Sequence, residues 1–210
     1  MENMTFSKVL WLIPVLVIAA CGGGEDAVNK ESSVVLASYP SPTADPSGLA
    51  FDGSLLWMSG DDDPGTNYAP MLFKIDPGNG ALLEKITPPD QVSYAGGLAW
   101  TGTYLAVLDG LEVHYLDRSG NYVSSFTAPA LWSDNLAYDG VNFWGSDGFD
   151  TVYQFDNAGN GLGSFTLPAS SSTNGLAWDG SHLWVAGAFN STNNRYNSSG
   201  TLQASIDIGL

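Results

Sequence analysis

One short motif occurs four times in this chain of 210 residues, and it constrains the fold more than any other feature. The copies begin at Gly48, Gly97, Asn135 and Gly175, and each contains Leu-Ala followed by an aromatic residue. Successive copies begin 49, 38 and 40 residues apart. Repetition at roughly 40 residues, with only strand and turn signals between the copies, is typical of β-propeller blades.

Each repeat predicts four strands. In the first strand Leu49 and Phe51 lie on one face and Ala50 on the other, because side chains alternate along a strand. An Asp-Gly pair predicts a tight hairpin after three of the four copies, and the second strand then carries Trp in three repeats but Ala106 in the other. The predicted third and fourth strands are 71–75 and 81–86, 113–116 and 122–126, 152–155 and 163–167, and 194–196 and 202–208.

No segment after residue 30 shows a sustained helical period, so we predict an all-β chain. The predicted fold is a β-propeller of four four-stranded blades over residues 34–210. The repeats cover about residues 46–89, 95–130, 133–169 and 173–210.

The closure of the ring is less regular. Residues 34–40 resemble a fourth strand that ends at Pro40, although the last repeat has its own fourth strand. Two alternatives follow: the last blade has five strands, or the chain is an incomplete arc that a second chain completes in a dimer. We expect residues 34–39 to pair with the last blade, because an open sheet edge invites aggregation.

The first 33 residues differ from the repeats. Lys8 precedes an apolar run at 9–20 that is too short to span a bilayer, so residues 1–20 are predicted to be a signal peptide. The small residues before Cys21 resemble a bacterial lipobox, which implies that Cys21 is lipid-modified and that residues 21–33 form a flexible tether. An ordinary signal peptide is the alternative. The lipobox resemblance implies a location in the cell envelope, and Gly22 after the cysteine favours the outer membrane.

The chain is strongly acidic, with a formal net charge of −16. Such a chain repels phosphate backbones, so we do not expect nucleic acid as a partner. The partners that we expect are the membrane, through the lipid anchor, and a protein or glycan.

The repeat sequences themselves carry a family resemblance. The segments GLAWDGSHLWVAG (175–187) and LFKIDPGNGALLEKI (72–86) resemble bacterial propeller repeats of the NHL and YVTN type. Similar sequence segments occur in proteins that resemble the propeller-type glutaminyl-peptide cyclotransferases. The resemblance covers residues 46–210 and implies the propeller fold. Its motifs are turn and core residues, which do not identify an activity.

Candidate functional residues lie in loops that share one face of the propeller, namely those before the first strands and those between the second and third strands. We call this the loop face. The propeller enzymes that this chain resembles place acidic and amide ligands, sometimes with a metal, on the central axis. The resemblance implies Asp134, Asn135 and Asn174 as the nearest equivalents by position, and Ca²⁺ is the cofactor that such oxygen atoms would suit. The candidate ligand-binding residues are Asp61, Asp62, Asp63, Tyr68, Tyr94, Trp132, Asp147 and Phe149. The alternative interpretation is that Asp is simply the favoured turn residue.

Two functions fit this pattern. The first is an envelope lipoprotein whose propeller binds a protein or glycan through the loop face without catalysis. The alternative is a propeller enzyme, similar to cyclotransferases, lactonases or lyases, with a divalent metal on its axis. We favour the binding module because residues 34–210 contain no HExxH, no GxSxG and no cysteine nucleophile.

Overall fold

The computed structural model describes residues 29–32 (main chain only), 36–61, 69–129, 135–168, 173–187 and 192–207. Within these ranges every regular element is a β-strand, and none of the described residues form a helix long and apolar enough to cross a membrane. The predicted signal peptide and Cys21 lie outside the described residues, as do all but residues 29–32 of the predicted tether.

The strands form four sheets, one for each repeat, and this confirms the all-β prediction. Blade 1 contains β2 (Asp45–Phe51), β3 (Leu56–Asp61), β4 (Pro70–Ile75) and β5 (Leu82–Ile86). Blade 2 contains β6 (Leu98–Trp100), β7 (Leu105–Asp109), β8 (Glu112–Leu116) and β9 (Tyr122–Thr127). Blade 3 contains β10 (Leu136–Tyr138), β11 (Phe143–Ser146), β12 (Thr151–Phe155) and β13 (Gly161–Thr166). Blade 4 contains β14 (Thr173–Trp178), β15 (Leu183–Gly187), β16 (Thr192–Tyr196) and β17 (Leu202–Asp207), joined by β1 (Asn29–Ser32).

Each blade is an antiparallel meander whose strands follow chain order. The first strands of consecutive blades lie against one another, β2 with β6, β6 with β10 and β10 with β14. This arrangement places the first strands nearest the centre, so the molecule is the predicted four-bladed propeller.

The core lies between blades, where a face of small residues meets a face of bulky ones. Between blades 1 and 2, for example, Ala50 and Trp57 pack with Leu98, Leu105 and Val107. The same pattern recurs between blades 2 and 3 and between blades 3 and 4. The predicted alternation along the first strand is therefore the feature that allows sheets to stack closely.

A hydrogen bond between the hairpin aspartate and the second-strand tryptophan accounts for two recurring residues of the repeat. The indole N–H donates to a carboxylate oxygen five residues earlier: Trp57 to Asp52 (3.0 Å), Trp144 to Asp139 (2.9 Å) and Trp184 to Asp179 (2.8 Å). Blade 2 lacks both partners, since Thr101 and Ala106 replace them. In the four repeats, the two residues are therefore either both present or both absent.

Blade 4 closes with a fifth strand, as one of the two alternatives predicted. That strand is β1, which runs parallel to β17 with Asn29 opposite Ala204. The predicted location was wrong, because β1 lies within the expected tether and residues 36–40 form no strand.

Residues 36–40 instead pack on blade 1. The Tyr39 ring lies against the turn at Gly80, and its hydroxyl donates to the Gly78 carbonyl (2.9 Å). Ile86 and Phe165 contact Gly120 and Gly200 of the next blades in the same way. The segment therefore supplies the packing of a fourth-strand end without pairing as one.

Candidate functional site

Several predicted site residues of the loop face can be placed, and others cannot. Those in the described residues are Asp61, Tyr94, Asn135, Asp147, Phe149 and Asn174. Those that lie outside the described residues are Asp62, Asp63, Tyr68, Trp132 and Asp134. The predicted metal site at Asp134, Asn135 and Asn174 therefore remains a prediction.

The described carboxylates of the loop face accept hydrogen bonds from main-chain N–H groups of their own loops. In the β11–β12 turn, one oxygen of Asp147 accepts the N–H groups of Phe149 (2.9 Å) and Thr151 (3.1 Å). In the β3–β4 loop, Asp61 accepts the N–H of Ala69 (2.9 Å), and the hydroxyl of Thr43 donates to its carbonyl oxygen. These contacts follow the chemistry by which Asp stabilises turns.

A further aspartate, which we did not single out as a site residue, does the same across a longer separation. Asp109, at the end of β7, accepts the N–H groups of Ser93 (2.7 Å) and Tyr94 (3.1 Å). It thereby fixes the loop before β6, which contains the predicted contact residue Tyr94. Within the described part of the chain, no three His, Cys, Asp or Glu residues converge in a way that could hold a metal ion.

Asn135 lies just before β10 and is buried. Its amide nitrogen donates to Ser146 Oγ (3.1 Å) and to the carbonyl oxygen of Thr173 (3.1 Å), so it links blades 3 and 4. Asn174 is exposed and is the residue after Thr173. The buried amide nitrogen of Asn135 is therefore engaged in joining the two blades.

Blades 1 and 2 are linked by a similar polar bridge. Ser59 accepts the N–H of Gly48 (2.8 Å) and donates to the carbonyl oxygen of Gly96 (2.6 Å). Ser59 and Ser146 occupy equivalent places in their second strands. The structure thus assigns these central polar groups a role in joining blades.

Among the described residues of the loop face, Phe149 is the most exposed large apolar side chain, with 71% of its surface accessible. Its N–H is held by Asp147, and its carbonyl oxygen accepts both the N–H and the hydroxyl of Thr173 (3.1 Å each). Leu111, at the tip of the β7–β8 turn, is 43% exposed and was missed by the sequence analysis. The sequence signal that could have indicated this exposed residue is a leucine directly after Asp109-Gly110, because an Asp-Gly pair marks a tight turn.

The opposite face, which we call the hairpin face, carries the turns between first and second strands and between third and fourth strands. Burial of Asp52 raises its pKa. The backbone N–H of Leu55, the indole N–H of Trp57 and the N–H and hydroxyl of Ser54 outweigh that effect and lower the pKa to about 2. Asp179 of blade 4 shows the same balance and the same direction, with its pKa lowered. These carboxylates stabilise turns.

No protein-family model matches this chain, and no curated protein matches it significantly. Solved structures with the same fold do match. The glutaminyl cyclase of Myxococcus xanthus superimposes with a TM-score of 0.62 at 15% sequence identity, over 77% of this chain and 70% of that one.

Two further structures superimpose less closely. The WD40 domain of Neurospora crassa Pan2 gives a TM-score of 0.53 at 13% identity, over 78% of this chain and 50% of that one. Virginiamycin B lyase from Staphylococcus aureus gives 0.51 at 16% identity, over 82% of this chain and 59% of that one. The chain therefore spans only part of each neighbour, and the likeness at these identities shows the propeller fold alone.

Proposed function

We propose that this chain is a cell-envelope lipoprotein, anchored through Cys21 in the outer membrane, whose propeller binds a partner through its loop face without catalysing a reaction. The lipid anchor is supported by the small residues before Cys21. β1 begins eight residues after Cys21, and eight extended residues reach at most about 28 Å. An anchored propeller would therefore stay close to the membrane surface.

The observation that carries the binding proposal is the presentation of Phe149. An aromatic side chain that is exposed on a turn with fixed geometry loses little conformational freedom on binding, and such residues often dominate the energy of an interface. Both the N–H and the carbonyl of Phe149 are fixed by hydrogen bonds. Leu111 adds a second apolar contact on the same face.

A protein is favoured over a glycan at this face, because Phe149 and Leu111 offer apolar surface and no hydrogen-bonding side-chain atom. The carboxylates around them accept N–H groups of their own loops, as Asp147 does for Phe149 and Thr151. They can therefore serve as a rigid frame for the apolar contacts.

Site-specific photo-crosslinking in the native cell envelope tests this proposal. A photoreactive amino acid replaces Phe149 in the full, anchored chain. The matched control replaces Val141, which is 67% exposed but lies in the β10–β11 turn of the hairpin face. We expect a discrete crosslinked protein from position 149 and none from position 141.

Two results would contradict the proposal. Position 149 would give no crosslink, or the two positions would give the same products. A product that a glycosidase returns to the mass of the uncrosslinked chain would identify the loop-face ligand as a glycan.

A further inference from the structure

A shallow groove of about 350 Å³ opens on the hairpin face where blades 2 and 3 meet. Three tyrosines, Tyr104, Tyr115 and Tyr138, form part of its lining. The hydroxyl and amide groups of Thr103, Ser124 and Asn157 lie among them. All the residues that line the groove are uncharged, although the chain carries a net charge of −16.

The groove lies beside blade 2, which is the blade whose sequence differs from the other three. Trp57 and Trp144 fill the equivalent positions of blades 1 and 3 and are fully buried. Trp144 also stacks on Trp178 of the next blade, with ring centroids 6.3 Å apart and planes at 6°. Blade 2 has Ala106 at this position, paired across the strands with Tyr115. Ala106 is itself fully buried, and the rings of Tyr115 and Tyr138 pack against its cluster and line the groove.

The groove walls are fixed before any ligand arrives. The rings of Tyr104 and Tyr115 lie 5.8 Å apart at 50°. The Tyr115 hydroxyl donates to Asn157 Oδ1 (3.0 Å), and Asn157 Nδ2 in turn donates to the carbonyl oxygen of Val141 (3.0 Å). This chain of hydrogen bonds joins blades 2 and 3 and orients both polar groups.

The Tyr115 phenol also stays neutral. Burial, together with the nearby Tyr138, raises the pKa of Tyr115 to about 12. Its hydroxyl is therefore a neutral donor at every physiological pH. An uncharged wall offers no electrostatic advantage to a charged ligand, whereas fixed aromatic and hydroxyl groups favour a ligand that has both apolar and hydrogen-bonding surfaces.

We propose that this groove binds a neutral oligosaccharide. A pyranose ring has a face of C–H groups, which carry a slight positive charge and stack on the electron-rich faces of aromatic rings. Its hydroxyl groups need donors and acceptors at the edges of that stack, and Thr103, Ser124 and Asn157 supply them. This site lies on the opposite face from Phe149, so the two ligands do not compete for the same surface.

Calorimetry with defined sugars tests the proposal. The full chain is purified in a detergent without a sugar headgroup and titrated with neutral hexasaccharides of glucose, mannose, xylose and N-acetylglucosamine. We expect at least one of them to bind at about 1 mM or below. Tyr104→Ala should weaken that binding about tenfold, which corresponds to about 1.4 kcal/mol for a lost stacking surface.

Two further variants separate binding from folding. Ser124→Trp places a bulky ring over the groove from an exposed position opposite Tyr115, so it should fill the groove and abolish binding while the chain stays folded. Tyr122→Ala is the matched control, because Tyr122 lies outside the groove and is 38% exposed on β9. Binding by the Tyr122→Ala protein should equal that of the wild type.

The proposal is overturned if no neutral hexasaccharide binds, or if the folded Ser124→Trp variant binds as well as the wild type. Preference for a uronic acid oligosaccharide would also overturn it, since the groove has no charged group to recognise a carboxylate. A dimer that Tyr104→Ala dissociates would identify the occupant as a second copy of the chain instead.

Discussion

The hairpin carboxylate of blade 1 offers a quantitative test of how the blades are held together. One oxygen of Asp52 accepts the N–H groups of Ser54 and Leu55 and the Ser54 hydroxyl. The other accepts the indole N–H of Trp57 (3.0 Å) and a guanidinium N–H of Arg118 (2.9 Å). Because Arg118 belongs to blade 2, replacing Asp52 with Asn disturbs one turn and one contact between blades.

The size of the effect follows from the pKa of Asp52, which hydrogen bonds lower from 3.8 to about 2 against the opposing effect of burial. At 1.36 kcal/mol per pKa unit, the ionised carboxylate contributes about 2 kcal/mol to the free energy of unfolding. A lowered pKa means that this stability is fully present above the unfolded pKa of 3.8 and is lost as the pH falls through about 2. The Arg118 side chain is 55% exposed, so its ion pair adds little to this sum.

Urea unfolding, followed by tryptophan fluorescence, measures the effect at pH 7 and near pH 2. Asp52→Asn should lower the free energy of unfolding by about 2 kcal/mol at pH 7, and the difference from wild type should shrink towards zero near pH 2. Asp90→Asn is the control, since Asp90 is exposed and the change in net charge is the same. A constant difference at both pH values, or a loss at pH 7 no larger than that of the control, would refute the reasoning.

Three further predictions use simpler assays. Cys21→Ser should release the protein from the membrane fraction or leave an unprocessed precursor; normal processing with unchanged membrane retention would count against the lipid anchor. Calorimetry with Ca²⁺ should show weak binding at most, because the carboxylates of Asp61, Asp109 and Asp147 accept N–H groups of their loops; sub-micromolar affinity would favour the enzymatic alternative. Deleting residues 29–32 should lower the melting temperature or cause aggregation, because it exposes the edge of β17; unchanged melting and solubility would show that β17 closes the fold alone.

Much of the fold could be predicted because every blade has to pack against its neighbours in the same way. The small residue between two bulky ones, as in Leu49-Ala50-Phe51, is required wherever sheets stack, so it recurs at a visible spacing. The predicted strand boundaries were close to those observed; the fourth strand of blade 3 was expected at 163–167 and is β13, Gly161–Thr166.

The closing strand could not be predicted from its side chains. Asn29–Ser32 reads Asn-Lys-Glu-Ser, which is the composition of a solvated tether. It pairs in parallel with β17 at the outer edge of blade 4. Edge pairing depends on main-chain N–H and carbonyl groups, which every non-proline residue has, so no apolar pattern announces it.

The candidate sites were predicted unequally. Phe149 was singled out because an aromatic residue in a polar turn stands out, and its role in binding stays a prediction. The sequence left Asp147 open between ligand and turn support, and it accepts N–H groups of its own turn. The tyrosine groove was missed, although its signal was present. Three repeats have Asp in the hairpin and Trp five residues later, and only the repeat with Thr101 has Ala106.

That concerted exchange indicates where a repeat protein can acquire a binding site. A residue pair that several blades share is accounted for by the structure of the blade, as the Asp52–Trp57 bond shows. When both residues of a hydrogen-bonded pair are replaced, the bond is lost but no buried donor or acceptor is left unpaired. Replacing both residues therefore costs less stability than replacing either one alone. Blade 2 keeps its hairpin because Thr101 both donates to the Tyr104 carbonyl and accepts the Tyr104 N–H (3.0 Å each). Ala106 stays fully buried in this blade, and the groove beside it is lined with tyrosines.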